Sequence, residues 1–203
     1  MLIKTLPVGH LETNCYIVTD EASYSCVIID PGAESNTILD YVESNNLKPE
    51  AIFLTHGHFD HSMALEAAVE ATGAPAYIND NDVNKDASHN QLKINDSEIL
   101  NRYSEGDIII VGGMHFVVME TPGHSPGSVT LMCESVLFTG DTLFSDDCGR
   151  TDLPGGDIGT MMESLRRLAS LDGDFEVYPG HDESTTLQRE RSFNSCIKRA
   201  MQA

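Results

Sequence analysis

Short apolar runs bounded by polar or glycine-containing turns recur along the chain, and longer segments between them show a helical period. The runs at 13–20 and 24–32 have the length and the β-branched content of strands. In the segment 158–171, apolar residues recur at every third or fourth position, which predicts an amphipathic helix. The pair Gly112–Gly113 separates two apolar runs and predicts a two-residue hairpin turn. The pattern therefore predicts a mixed α/β protein.

The order of these elements is similar in two halves of the chain. Each half contains paired strands, a helix, and a short apolar strand that runs into a histidine-containing loop. Two such halves meeting face to face predict a four-layer αββα sandwich, in which two mixed sheets are flanked by helices. Because no linker-like stretch interrupts the sequence, we expect one domain over 1–203. The Asn- and Asp-rich segment 80–97 between the halves is interpreted as a mobile surface loop or lid.

The charge of the chain limits the possible partners. Lys and Arg number 12 against 32 Asp and Glu, and the formal net charge is −20. Since phosphate backbones and anionic membranes are bound through Lys and Arg, we expect neither nucleic acid nor a membrane as partner. The N-terminal residues do not have the pattern of a secretory signal, and no stretch approaches the ~20 apolar residues of a membrane span. The sequence therefore predicts a cytoplasmic protein and makes no prediction about its oligomeric state.

The five cysteines are odd in number and widely spaced, and no two of them form a C-x-x-C pair. This spacing favours reduced thiols over a disulfide framework or a thiolate metal site. Cys15, Cys26 and Cys133 lie in strand-like runs and are expected to be buried. Cys148 differs, because it lies in a polar loop close to the candidate site that the following motifs define.

The segment Thr55-His56-Gly57-His58-Phe59-Asp60-His61 carries the strongest chemical signal. Three histidines and one carboxylate lie within six residues, directly after the buried strand predicted at 51–54. Clustered imidazoles without a metal suffer a desolvation cost and repel one another when protonated. Imidazole nitrogens together with carboxylate oxygens, and no sulfur, form a donor set that zinc prefers. The segment therefore predicts a metal site.

Three isolated residues extend this prediction to distant parts of the chain. His124, Asp141 and His181 each follow a glycine at the predicted C-terminal end of a strand. The C-terminal ends of strands are where open sheets place their sites, and glycine lets the backbone approach a site closely. We therefore expect these three residues to join the earlier cluster. One site would then account for five of the eight histidines.

These motifs resemble those of a known superfamily. T-H-G-H-F-D-H, G-H-S-P-G, T-G-D-T-L-F and Y-P-G-H occur in the order found in the metallo-β-lactamase superfamily and span about 55–181. The preceding I-D-P-G, with Asp30, matches as well. Within the superfamily, the chain resembles the short glyoxalase II-type hydrolases that lack an additional helical domain. The run G-R-T-D-L-P-G-G-D at 149–157 is typical of these short forms.

The resemblance implies two divalent metal ions, with zinc expected and iron or manganese as alternatives. It divides the candidate ligands into two sets and one bridging residue: His56, His58 and His124 at the first metal, Asp60, His61 and His181 at the second, and Asp141 between them. A carboxylate has two oxygens and can bridge ions about 3.5–4 Å apart, as dinuclear hydrolytic sites require.

The implied activity is that of a dinuclear metal-dependent hydrolase that uses a metal-bridging hydroxide. Two metals lower the pKa of a shared water toward about 7, and Asp60 is the expected catalytic residue that orients this nucleophile. We expect direct attack by water, without a covalent acyl-enzyme. The resemblance implies a small-molecule thioester such as S-lactoylglutathione, or a related small ester, as the substrate.

Other activities of the same fold remain as alternatives. The run C-G-R-T-D at 148–152 also resembles persulfide dioxygenases, which bind one iron, for which His56, His124 and Asp141 would serve. A lactonase and a non-catalytic metal-binding protein are further alternatives. A β-lactamase is disfavoured because those enzymes lack a bridging carboxylate at the position of Asp141.

Two other residues have two interpretations each. Asp30 either supports the metal site or is only a turn residue before Pro-Gly. Arg150 either binds a substrate carboxylate or pairs with a neighbouring acid among Asp146, Asp147, Asp152 and Asp157. The local excess of acids favours the pairing.

Overall fold

Two six-stranded sheets form the centre of the protein in this computed structural model, which describes residues 1–83 and 100–202. The strands of the first sheet lie side by side in chain order: β1 (Leu2–Val8), β2 (Thr13–Thr19), β3 (Ser25–Ile29), β4 (Lys48–Phe53), β5 (Ala76–Asn79) and β6 (Leu100–Tyr103). β1 to β3 pair antiparallel, whereas β3 to β6 pair parallel. From position 84 onward, the predicted loop or lid at 80–97 lies outside the described residues.

The second sheet has a similar plan. Its strands also follow chain order: β7 (Ile108–Val111), β8 (Met114–Glu120), β9 (Val129–Cys133), β10 (Val136–Gly140), β11 (Glu176–Pro179) and β12 (Thr185–Thr186). Only β10 and β11 pair parallel. The predicted two-residue turn at Gly112–Gly113 is confirmed, since it joins the antiparallel strands β7 and β8. Both sheets are therefore mixed.

The helices connect these strands or follow them: α1 (Ser35–Ser44), α2 (Phe59–Ser62), α3 (Leu65–Thr72), α4 (Ile158–Ala169), α5 (Leu187–Phe193) and α6 (Ser195–Ala200). α4 confirms the helix that the apolar stripe predicts, and Asp157 caps its N-terminus by accepting a hydrogen bond from the Thr160 amide. α3 ends at Gly73, which adopts the left-handed conformation. None of the helices in the described ranges has the length and apolar character needed to cross a lipid bilayer.

Three hydrophobic clusters define four layers. The first cluster packs α1 and α3 on the first sheet and includes Ile38 and Leu65. The second fills the space between the two sheets and includes Phe53 and Phe138. The third packs the C-terminal helices on the second sheet and includes Leu165. This arrangement confirms the predicted αββα sandwich.

Strand β2 illustrates how the layers produce the sequence pattern. All of its residues are buried, but successive side chains point to opposite faces of the sheet. Cys15 and Ile17 belong to the first cluster, whereas Tyr16 and Val18 belong to the second. Because both faces of the sheet are covered here, residues 15–18 form an unbroken apolar run instead of alternating with polar residues.

The cluster between the sheets should provide a large share of the stability. Phe53 is fully buried and packs against the rings of Tyr77, Tyr103 and Phe116. We expect Phe53→Ala to lower the free energy of unfolding by about 3–5 kcal/mol, measured by urea denaturation. Phe193→Ala is the matched control because Phe193 is 68% exposed, and it should change stability by less than about 0.5 kcal/mol. Equal losses in the two variants would contradict this assignment of the core.

Candidate metal centre

Segments that follow four strands carry the candidate ligands to one edge of the sandwich, and Asp60 and His61 among them lie in the short helix α2. The first loop follows β4, and the others follow β8, β10 and β11. The structure brings together all seven side chains that the sequence predicts as ligands: His56, His58, Asp60, His61, His124, Asp141 and His181. The site therefore forms where strands from both sheets end, as open sheets commonly arrange their sites.

The ligand atoms fall into overlapping groups. Within each group, the nitrogen or oxygen atoms lie within 4.8 Å of one another: His56, His58 and His124; His56, His61 and Asp141; and Asp60, His61 and His181. The second group shares one member with the first and one with the third. One edge of the sandwich thus carries two separate sets of three donors, and the second group connects them because it contains one residue of each set.

Asp141 lies between the two outer groups. Its Oδ2 is 3.4 Å from His124 Nε2 and 3.6 Å from His181 Nε2, and its Oδ1 is 3.4 Å from His61 Nε2. One carboxylate therefore faces imidazoles of both groups. This is the position that a bridging ligand requires, although the roles of the seven residues stay predictions.

Three buried side-chain nitrogen or oxygen atoms among the described residues have no hydrogen-bond partner: His56 Nε2, His61 Nε2 and Asp141 Oδ1. The last two atoms approach each other but do not meet in hydrogen-bond geometry. A buried polar atom left without a partner costs about 1–3 kcal/mol. All three atoms belong to the central group of candidate ligands, and a cation placed among them would satisfy each one. The cluster therefore indicates that the protein binds divalent metal.

Burial keeps part of the cluster uncharged. It lowers the pKa of His56 well below the usual range, and the neighbouring His61 and His124 lower it further. Burial, together with His124, also lowers the pKa of His58 to about 4. His56 and His58 are therefore neutral at pH 7. A neutral imidazole has the free lone pair that metal binding requires.

The opposite shift occurs at His61. Burial alone would lower its pKa, but the carboxylates of Asp141 and Asp30 outweigh burial and raise the pKa well above the usual range. The pKa of Asp141 falls to about 2, because His61 and His124 outweigh the effect of its own burial. The two carboxylates thus favour a positive charge at this point, which a proton on His61 or a metal ion would supply.

Asp30 holds His61 in place. Its carboxylate is buried and accepts hydrogen bonds from the Thr55 amide (2.7 Å), the Thr55 hydroxyl (2.7 Å) and His61 Nδ1 (2.9 Å). When Nδ1 of His61 donates, its Nε2 is left free to face the cluster. Asp30 therefore supports the site and is more than a turn residue.

Backbone carbonyls orient two other histidines. His124 Nδ1 donates to the carbonyl of Arg150 at 2.7 Å, and His181 Nδ1 donates to the carbonyl of Leu11 at 3.0 Å. In each ring, the remaining nitrogen, Nε2, faces Asp141. The sequence could not predict these acceptors, because every residue type offers the same carbonyl group.

Asp82 lies beneath two of the ligand loops and was missed by sequence reasoning, which placed it in a surface loop. Only 1% of the residue is exposed. Its carboxylate accepts hydrogen bonds from the Gly57 amide (2.8 Å), the Gly127 amide (2.6 Å) and the Ser125 hydroxyl (2.6 Å). A side chain at either glycine would come within 2.7 Å of Asp82 atoms. Asp82 thus ties the H-G-H loop to the H-S-P-G loop.

A pocket of about 530 Å³ opens beside the cluster. Its apolar wall consists of Leu11, Phe59, Phe144 and Leu153. Cys148 also lines the pocket, which agrees with its predicted place beside the site.

Arg150 lines the same pocket, but its guanidinium forms two hydrogen bonds to the carboxylate of Asp152, at 2.7 and 2.8 Å. Of the two interpretations of Arg150, the pairing with a neighbouring acid is therefore the one that the structure shows. Both side chains of the pair are largely exposed. The contribution of Arg150 to the site comes from its carbonyl, which holds His124.

Comparison with known proteins identifies the family. The model of the metallo-beta-lactamase superfamily matches residues 8–181, so the chain belongs to this superfamily. A probable metallo-hydrolase of Bacillus subtilis, YqgX, is 36% identical, and the match covers 94% of this chain and 95% of the relative. The hydroxyacylglutathione hydrolase GloC of Haemophilus influenzae is 32% identical, and the match covers 96% of this chain and 97% of GloC.

Solved structures show the same similarity. The B3 metallo-beta-lactamase BLEG-1 is 32% identical, has a TM-score of 0.84, and covers 97% of this chain and 99% of its own. ETHE1 from Myxococcus xanthus is 32% identical and has a TM-score of 0.81. The match covers 96% of this chain and 84% of ETHE1. TTHA1623, solved in a di-iron-bound form, is 35% identical and has a TM-score of 0.81. The match covers 95% of this chain and 98% of TTHA1623. The last example shows that the fold alone does not select zinc.

The role of Asp30 can be tested with an isosteric change. Asp30→Asn has only one acceptor oxygen for three donors, so His61 should lose its fixed orientation. We expect metal affinity to fall by about 10–100-fold, measured by competition with a chromophoric chelator. Asp20→Asn is the matched control, because Asp20 accepts hydrogen bonds from the Ala22 amide and the Ser23 hydroxyl in the turn after β2. An unchanged affinity in Asp30→Asn would show that His61 needs no such support.

Gly180 provides a steric test of the site. A Cβ atom at this position would lie 2.1 Å from Asp141 Oδ1 and 2.8 Å from His61 Cε1. Gly180→Ala should therefore displace Asp141 and lower metal affinity at least about tenfold. Gly113→Ala is the control, since its nearest contact would be Asp20 Oδ2 at 3.7 Å. If both variants bound metal like the original protein, the packing around Asp141 would be wrong.

Proposed function

We propose that the protein is a dinuclear metal-dependent hydrolase of a thioester or a related small ester. The observation that carries the proposal is the central group of His56, His61 and Asp141, whose buried unpaired atoms lie between two sets of three donors. A site for one metal would need only part of this arrangement.

The two sets of donors assign the ligands. His56, His58 and His124 would hold one metal, and Asp60, His61 and His181 would hold the other, with Asp141 between them. Imidazole and carboxylate donors suit zinc, iron and manganese. Zinc is the metal we propose first, and the di-iron form of TTHA1623 supports iron as the alternative.

The proposed chemistry combines the metals with Asp60. When bound, two divalent metals lower the pKa of a water molecule and polarise a substrate carbonyl. Asp60 lines the pocket, and its Oδ2 lies 3.3 Å from His181 Nε2 and 3.4 Å from the Thr13 hydroxyl. The Asp60 carboxylate is therefore held where it can orient an attacking water and take up the proton that the water loses.

Two observations support a thioester as the substrate. GloC, which is 32% identical over nearly the whole chain, is named a hydroxyacylglutathione hydrolase. The wall formed by Leu11, Phe59 and Phe144 offers apolar contact to an acyl or thiol group. A thiolate is a good leaving group and needs no strong general acid, and the proposed mechanism assigns none. A small thioester of the S-lactoylglutathione type fits these conditions.

A second candidate function is persulfide oxidation. The similarity to ETHE1 and the run C-G-R-T-D at 148–152 favour it. This activity would use one iron held by His56, His124 and Asp141, and it would leave Asp60 and His181 without a metal. The hydrolase is preferred because it assigns a role to every member of the cluster. Oxygen consumption with glutathione persulfide, in place of thioester hydrolysis, would decide for the oxygenase.

The hydrolase proposal is tested by comparing two carboxylates of the same pocket. Asp60→Asn should lower kcat/KM for S-lactoylglutathione by at least about 100-fold, since it removes the group that orients water and accepts its proton. Asp182→Asn, at an exposed pocket residue outside the ligand groups, should retain kcat/KM within about threefold. Circular dichroism should show the same fold in both variants.

The substrate panel should include a neutral thioester and a β-lactam, because BLEG-1 is a B3 metallo-beta-lactamase. Turnover of thioesters that is removed by a chelator and restored by added metal would support the proposal. Turnover that survives in Asp60→Asn would contradict the mechanism. Turnover of the β-lactam alone would contradict the substrate class.

A further inference from the structure

Two cysteines face each other beside the pocket. The Sγ atoms of Cys148 and Cys196 lie 2.9 Å apart, and both residues are half-buried. Cys148 lines the pocket, whereas Cys196 lies in the first turn of α6. The other three cysteines are fully buried in strands: Cys15, Cys26 and Cys133. Of the five thiols in the chain, two are therefore paired and within reach of small molecules.

We infer that Cys148 and Cys196 are a modification site, at which a reversible intramolecular disulfide forms when the protein meets a low-molecular-weight disulfide. A sulfur–sulfur bond is about 2.05 Å long, so the two sulfur atoms need to approach by less than about 1 Å. This inference does not depend on the proposed hydrolase activity.

The backbone around the two cysteines is already fixed in a suitable position. Asn194 Nδ2 donates to the carbonyls of Phe144 (3.3 Å) and Asp147 (2.9 Å), and Asn194 Oδ1 accepts from the Cys196 amide (2.8 Å). One buried side chain thus holds the segment 144–150, here called the pocket strap, against the start of α6. The disulfide would join parts that are already in contact, with little distortion.

The environment of the two thiols stabilises the disulfide against reduction. Burial raises the pKa of Cys148 and of Cys196, and the nearby Asp147 carboxylate adds to both effects. A thiol pair whose thiolate is stabilised forms an easily reduced disulfide, and this pair has no such stabilisation. The same pKa shifts disfavour the alternative in which Asp147, Cys148 and Cys196 hold a metal through thiolates.

The reaction balances with a small disulfide as the oxidant. The thiolate of Cys148 attacks one sulfur of the small disulfide, forms a mixed disulfide, and releases one small thiol. The thiolate of Cys196 then attacks the Cys148 sulfur and releases the second small thiol. The protein loses two electrons and two protons, and the small disulfide is reduced to two thiols.

The bond would connect the pocket to the C-terminal helices. The pocket strap contains Cys148 and also Arg150, whose carbonyl accepts the hydrogen bond from His124. A disulfide would therefore fix one wall of the pocket, together with the acceptor for a candidate ligand, to α6. The two cysteines are 48 residues apart in the sequence. A disulfide that closes a loop of this length stabilises the native fold, because it restricts the unfolded chain.

The test exposes the purified full chain to oxidised glutathione and counts free thiols after denaturation. The count should fall from five to three, the mass should show loss of two hydrogen atoms, and Tm should rise by about 5 °C or more. Dithiothreitol should restore all three values. Cys133→Ala, which removes a thiol buried in β9, should still show the loss of two thiols.

The single variants Cys148→Ser and Cys196→Ser should show no rise in Tm and should retain any glutathionyl group that attaches. The inference is overturned if the original protein keeps its five thiols, or if the single variants lose two thiols as it does. Covalent dimers in place of the internal bond would also overturn it. Thiols that a chelator frees, while dithiothreitol does not, would show a metal site instead.

Discussion

The structure depends on one constraint: five imidazoles and two carboxylates must lie together at the edge of the sandwich with their donor atoms facing inward. Such a cluster is costly unless each outer nitrogen has an acceptor and the inner atoms share a cation. Asp30 and the carbonyls of Leu11 and Arg150 supply the acceptors for three of the five rings, those of His61, His181 and His124. The same crowding leaves no space for a side chain at Gly180.

The strand order of the four-layer fold brings the ligand-bearing segments together. Both sheets run in chain order, and the loops after β4, β8, β10 and β11 meet at one edge. Asp82 connects two of these loops, because its carboxylate accepts hydrogen bonds from a backbone amide of each, Gly57 and Gly127. Asn194 likewise holds the pocket strap at the start of α6 by donating hydrogen bonds to the carbonyls of Phe144 and Asp147. Rigid supports of this kind are what a preorganised metal site requires.

The sequence predicted the parts of this arrangement that have a local signature. The run from His56 to His61 and the glycines before His124, Asp141 and His181 locate the site, because few structural roles explain such patterns. The layer order followed from the repeated strand–helix plan. Strands β1, β5, β6 and β12 were not predicted. β1 is an edge strand with mixed exposure, β6 has two exposed polar residues at its centre, and β12 has only two residues. Asp82 was placed in a surface loop because its partners are distant in sequence and are mainly backbone amides.

The most direct test of the central claim is the metal content of the protein, measured by elemental analysis after purification without added metal or chelator. The account predicts two divalent ions per chain, as zinc or as a mixture with iron or manganese that sums to two. A single iron per chain would contradict the dinuclear hydrolase and favour the oxygenase. A protein that carries no metal would contradict the interpretation of the whole cluster.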